Sequence, residues 1–304
     1  MNIYLVGSVL NMASLLMIGG SGAMICIKGG HFNLGGEGQV YAGGFLAAIL
    51  FSIFGRIGMP PVFAIMICFL ASGFFSSTVA MISALLKQYK KVDVLLSSFL
   101  ASGAIIPILD SLIAGPARGQ TNNLLATEFV PEQFRFNSIL PPSPLNGTVF
   151  LSVLICLVLF YVFRKTAFGK ELEIYGISSR FALYSGFNEK KINYISICLS
   201  GFLHGIVGMF AVAGTYFTCH QGFYSGFGWN SLSVALLSFG NPLLLISSSI
   251  VLATINILAT QAAMFHNFGF DMGNLLQGVI LFFIVMFSTL PEKSMSFLKE
   301  RKYK

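Results

Sequence analysis

The stretch Lys28-Gly-Gly-His-Phe-Asn-Leu-Gly-Gly-Glu-Gly-Gln39, continued by Val40-Tyr-Ala-Gly-Gly-Phe45, decides how this chain is read. It places a carboxylate, two amides and seven glycines inside sequence that is otherwise soluble in lipid. Backbone of this kind survives at membrane depth only where it is buried in protein or lines a polar cavity. The glycines let other helices or a substrate approach the main chain, and Asn33, Glu37 and Gln39 can satisfy backbone groups at the start of the next helix. The stretch reads as part of a pathway.

The rest of the composition agrees with that setting. Hydrophobic residues make up 55% of the 304 positions and charged residues 10%, with a mean hydropathy of +0.81. Such a chain is a polytopic membrane protein. Its net charge of +7 does not point to nucleic acid, because 14 of the 18 Lys and Arg residues fall in three short segments between or after apolar runs. These are Lys87 to Lys91, Arg164 to Lys191 and Lys293 to Lys304, and all three are expected to face the cytoplasm. The balanced loop from Gly115 to Asn146 is expected outside. Cys26, Cys68, Cys156, Cys198 and Cys219 are scattered without a CxxC pair, so they read as small packing residues and no metal site is expected. The first residues lack the basic region of a signal peptide, and no cleavage is expected.

Apolar runs able to cross a core of about 30 Å cover Ile3 to Ile27, Gly36 to Phe54, Pro60 to Leu86, Val94 to Ala114, Thr148 to Phe163, Ile192 to Phe217, Leu243 to Phe265 and Met272 to Ser288. An even number of crossings must separate the basic loop at 164–191 from the basic tail. The missing one is Phe227 to Gly240, half the ordinary length and bracketed by Gly226, Gly228, Gly240 and Pro242. It reads as a broken or half-length helix. The expected fold is all-α, with about nine transmembrane crossings in a single transmembrane domain over 1–304.

Candidate residues fall in two groups. For the substrate pathway these are Asn33, Glu37 and Gln39, together with Tyr224, Trp229, Asn230 and Ser231, which combine flat apolar faces with hydrogen-bonding groups. Glu37 either contacts substrate or meets free backbone N–H groups at a helix start. Tyr224 and Trp229 either line the pathway or belong to an interfacial aromatic belt. His204, Asn256 and Gln261 read as hydrogen-bond links between helices, and Asp110 and Asp271 as solvated span ends. The second group lies in Thr166 to Lys191, where Phe168, Ile174, Tyr175, Phe181 and Tyr184 are too many large apolar groups for a loop that touches nothing. A docking helix at the cytoplasmic surface is expected there. Phosphate-loop, HExxH and GxSxG motifs are absent from the sequence, so an enzyme is not expected.

The string Phe32 to Gln39, FNLGGEGQ, resembles the N-I/L-G-x-E-G-Q signature of permease subunits of ABC importers of the branched-chain amino acid, ribose and nucleoside type. Thr166, Phe168, Gly169, Gly176, Ala182 and Gly186, continuing into Leu199-Ser200-Gly201, resemble the cytoplasmic loop of that family. Gly228, Ala235, Leu236 and Asn241-Pro242 resemble its nucleoside-type branch. Ile174-Tyr175 and Ser178-Ser179 depart from the Arg-Ala and Asn common in relatives, which implies an unusual ATPase contact. Compared with longer members of that family, the N-terminal region is expected to be one span shorter.

The resemblance implies a type II importer permease in a bacterial cell membrane, paired with a second permease subunit that is a paralogue of this chain, ABC ATPase subunits and an extracytoplasmic binding protein or lipoprotein. ATP and Mg would be held by the partner ATPase, with no cofactor in this chain. Coupling is expected through residues 164–191, with Gly169, Glu173, Gly176, Ser179, Arg180 and Gly186 as its positions. The implied substrates are nucleosides or riboflavin, flat heterocycles bearing a sugar or polyol, with a sugar such as ribose as a further option. The alternative is an ion-coupled secondary transporter using acids such as Glu37 and Asp110.

Overall fold

The computed structural model describes residues 3–120, 124–224 and 226–265, together with Leu275, Gly278, Val279, Phe282, Phe283 and Met286. The expected span at Met272 to Ser288 is described only at those six positions. Asn122, Asp271 and the basic tail lie outside the described residues. Met1–Ile257 forms one compact unit and Leu258–Lys304 another; the site belongs to the first.

Seven described helices are long and apolar enough to cross a membrane. They are α1 (Ile3–Lys28), α2 (Gly36–Arg56), α3 (Pro61–Lys90), α4 (Val94–Ala114), α5 (Thr148–Lys165), α8 (Glu189–Ala211), extended by a π-turn at Val212–Tyr216, and α10 (Leu244–Phe265). Between them lie three short helices, α6 (Ala167–Ile177), α7 (Ser179–Tyr184) and α9 (Phe227–Leu237). Among the described residues the only β pairing is an isolated bridge from Ala126 to His220.

Side-chain size decides which helices are central. The apolar windows of α1, α2 and α8 are 67%, 61% and 78% buried, against 33% for α3 and 28% for α4 and α5. Small residues bring the central helices together, because lipid offers no hydrophobic drive between them and close van der Waals contact must supply the attraction. Gly19 and Gly20 of α1 lie against Ser231 and Val234 of α9, and Gly43 of α2 lies on the backbone of Gly205 in α8. Ends are set by local chemistry. Asp93 accepts from the Leu95 amide at 2.9 Å to cap α4, and Thr166, Ser178 and Asn188 cap α6, α7 and α8.

The expected single docking helix is two helices. Ser178 leaves the helical region, with φ −150° and ψ 95°, and its hydroxyl oxygen accepts from the Phe181 amide. A serine that offers the backbone an alternative hydrogen bond breaks the helix there.

The broken crossing has a defined shape. Thr127 donates its amide to the Cys219 carbonyl near one end of the unit, where Arg56 pairs with Glu128 at 3.0 Å. From there the chain passes Tyr41 as coil, turns at Gly226 with φ +88°, and continues as α9. It ends at Gly240, within van der Waals reach of the Lys28 side chain at the opposite end. Half of this crossing is therefore coil and half helix.

Two smaller expectations are corrected. His204 meets the Ser200 carbonyl of its own helix at 2.8 Å and not a neighbouring helix's polar group. Asp110 is not simply a solvated end. Its Oδ1 accepts the Tyr41 hydroxyl at 2.5 Å and its carbonyl accepts Gln221 Nε2 at 2.8 Å. The five cysteines are free, four of them buried.

Candidate functional site

The glycine-rich stretch leaves α1 at Lys28 and enters α2 at Gly36, and side chains from two other helices, α3 and α4, satisfy its backbone. Ser98 and Ser102 of α4 accept the amides of Leu34 and Gly38 at 2.9 and 2.8 Å. The Ser76 hydroxyl of α3 donates to the Gln39 carbonyl at 2.6 Å. Asn33 donates to Gln39 Oε1 at 2.9 Å and to Ser200 Oγ at 3.0 Å, while its own Oδ1 accepts the Gly35 amide at 2.9 Å. Both amide side chains are buried and used within the protein. The stretch is thus buried in protein in this structure, one of the two states that permit irregular backbone at membrane depth.

Glu37 sits where that stretch meets the broken crossing. Gly36 and Gly228 touch backbone to backbone: a Cβ on Gly36 would lie 2.8 Å from the Gly228 Cα. That approach brings the Glu37 carboxylate to the start of α9, where Oε1 accepts the amides of Gly226 at 3.0 Å and Trp229 at 3.4 Å. The carboxylate meets helix-start amides, but those of a helix 189 residues further along the chain. A negative charge at the positive end of a helix is favourable, the more so away from water.

Of the other candidates, Asn230 and Ser231 are buried in α9, Ser231 against Gly19, and Trp229 is half-buried beside Glu37. Tyr224 stacks at a tilt on Tyr41, with ring centroids 4.5 Å apart. Tyr41 also meets Phe223 edge-on at 5.7 Å, and Phe223 meets Tyr216 and His220. These rings and Asp110 form a packed aromatic cluster with one carboxylate, joining α2, α4 and the coil before α9. The sequence reading missed Tyr41 in this role. Its spacing of four residues from Glu37 on one helix was the available signal.

The second site is at the end of the unit where Lys28 lies. Lys28 Nζ donates to Glu173 Oε1 at 2.5 Å, and Gly176 rests on the Lys28 carbonyl so closely that a Cβ there would collide with it. Gly169 packs in the same way on Val162, Ser179 and Arg180 border a cavity with His31 and Lys87, and Gly186 turns the chain with φ +83°. Leu172 and Tyr175 are buried, and burial first, then Glu189, pushes the Tyr175 phenol up to about 12. The opposite face is bare: Ile177 is 82% exposed, Phe181 61% and Tyr184 93%.

Residues 5–285 match the family described as branched-chain amino acid transport system / permease component. The chain belongs to this family. With its seven candidate spans it is a multi-pass membrane permease component. It is 30% identical, over 77% of this chain and 62% of the other, to the probable riboflavin import permease protein RfuC of Treponema pallidum. The chain thus spans under two thirds of that relative's length. A glucose ABC transporter permease protein, TsgB13 of Haloferax volcanii, is 22% identical over 89% of this chain and 73% of its own. The guanosine ABC transporter permease protein NupP of Bacillus subtilis is 20% identical over 93% and 81%. The fold is that of PsaBC from Streptococcus pneumoniae, solved in complex with Fab: TM-score 0.53, 16% identity, covering 97% of this chain and 95% of that one.

Proposed function

We propose that this permease carries a hydroxylated heterocycle of the nucleoside or riboflavin type into a bacterial cytoplasm, driven by ATP hydrolysed on a separate subunit. The observation that carries the reading is the two-faced segment at 164–191. One face is fastened to α1 by Glu173 and Gly176, and so to the glycine-rich stretch. The other offers Ile177, Phe181 and Tyr184 to a partner. A push on that partner face reaches Lys28 directly, and from there the junction of α2 with α9. Rigid elements joined this way can pass a domain movement to a pathway.

The half-buried Tyr224 and Trp229 support the substrate class, since flat rings with a hydrogen-bonding edge suit a heterocycle with hydroxyl groups. Relatives named for riboflavin, guanosine and glucose share that polyol or sugar character in part. The ATPase with its ATP and Mg, a second permease subunit and an extracytoplasmic binding protein complete the proposed importer. Ion coupling is disfavoured because Glu37 and Asp110 already accept protein hydrogen bonds. The test is uptake of labelled guanosine, riboflavin and glucose by the complete transporter in proteoliposomes. ATP-dependent uptake of one of the first two is expected; uptake driven by an ion gradient without ATP would overturn the reading.

A further inference from the structure

We infer that the cavity between the glycine-rich stretch, the end of α3 and the α6–α7 break binds a phosphate-bearing small molecule. The cavity measures about 430 Å³, within the range of small-molecule sites and larger than a bare ion requires. His31, Lys87, Tyr175, Ser178, Arg180 and Glu189 border it, brought from the loop after α1 and from α3, α6, α7 and α8. No element supplies the site alone.

Its charge balance indicates the ligand. Neither Lys87 nor Arg180 has a carboxylate within 4.0 Å among the described residues, whose three close ion pairs are all made elsewhere. Glu189, the one carboxylate on the rim, accepts the Tyr175 hydroxyl at 3.2 Å. Asp93, also near His31, is engaged in capping α4. His31 is anchored by Asn193 through a 2.7 Å hydrogen bond, so the wall behind the ligand is fixed. Two cations with no ion pair among the described residues, an ammonium and a planar guanidinium, with a serine hydroxyl at the helix break, are donors suited to a phosphate ester. Hydroxyls elsewhere on such a ligand would find Glu189 and the His31 and Tyr175 edges.

A ligand held by Lys87 and Arg180 together would tie α3 to α7. It would thereby hold the 164–191 segment against the unit and slow transport. That consequence rests on the coupling reading above; the binding itself does not.

The experiment uses the assembled transporter in phosphatidylcholine nanodiscs, which offer no net-anionic headgroup, with its ATPase sites filled by ADP. Ribose 5-phosphate, inorganic phosphate and ribose are titrated against thermal unfolding. Ribose 5-phosphate is expected to stabilise the wild type, phosphate less and ribose not at all. Lys87→Gln and Arg180→Gln are each expected to weaken ribose 5-phosphate about tenfold, and Glu189→Gln, which removes the like charge and keeps an acceptor for Tyr175, to tighten it several-fold. The opposite sign of the third variant separates binding from general damage. Equal affinity in all four proteins, loss in Glu189→Gln, or a response to ribose equal to that of its phosphate would overturn the proposal. Transport is then measured with ribose 5-phosphate on the Ser178 side: binding without slowed uptake would sink the coupling consequence and leave the site.

Discussion

At the scale of single residues, Glu37 and Gly176 carry the most consequence. Glu37 is the acceptor for two amides of α9, and a buried donor stripped of its partner costs about 1–3 kcal/mol. Glu37→Ala is therefore expected to lower the thermal midpoint of the purified transporter by several degrees and uptake by more than tenfold. Glu37→Gln, which keeps an acceptor oxygen, is expected to retain most stability, and equal midpoints for the two variants would show that the carboxylate does not hold α9. Gly176 has no space for a side chain over the Lys28 carbonyl. Gly176→Leu should insert and assemble yet hydrolyse ATP without uptake, because the segment can no longer seat on α1. Glu173→Lys, facing Lys28 with like charge, should act in the same direction more weakly, since its carboxylate is partly exposed and screened by solvent. Coupled uptake at the wild-type ratio in both variants would remove Lys28 from the transmission route.

At the scale of elements, the α6–α7 pair and α9 divide the work. The break at Ser178 turns Ile177, Phe181 and Tyr184 outward while Leu172 and Tyr175 stay inside. The proposed docking surface is this amphipathic pair of short helices, fixed on one side and exposed on the other. The triple change Ile177→Ser, Phe181→Ser and Tyr184→Ser is expected to leave the chain folded in the membrane and to reduce the ATPase copurifying with it at least fivefold. Copurification unchanged by the triple variant would place the contact elsewhere. In α9 the element is short because its first half is coil, stabilised by the Ala126–His220 bridge, by Tyr41 and by Glu37 in turn. A half-helix whose start is held by one side chain can shift without breaking a continuous ladder of backbone bonds.

At the scale of the whole molecule, the membrane orientation and the legibility of the chain belong together. The basic segments near Lys87 and 164–191 meet around one cavity, and Arg56, Glu128 and Arg135 lie toward the other end of the unit. Cysteines placed at Lys90 and Ser178 should react with an impermeant maleimide only when the cytoplasmic face is open, and one at Glu132 only from outside; the reverse pattern would invert the topology. Hydropathy was enough to find seven spans and the short apolar helix, because bilayer thickness imposes a length on every apolar run and Gly226, Gly240 and Pro242 mark where a helix cannot continue. The FNLGGEGQ string was likewise sufficient to point to the permease family. Which groups meet was another matter. Glu37 finds Gly226, Lys28 finds Glu173 145 positions away, and Asn33 turns inward to Gln39 and Ser200. A local pattern specifies which side chains need a partner, since burial of an unpaired polar group is costly everywhere. Only the close approach of α2, α8 and α9 through their glycines decides which partner each one takes.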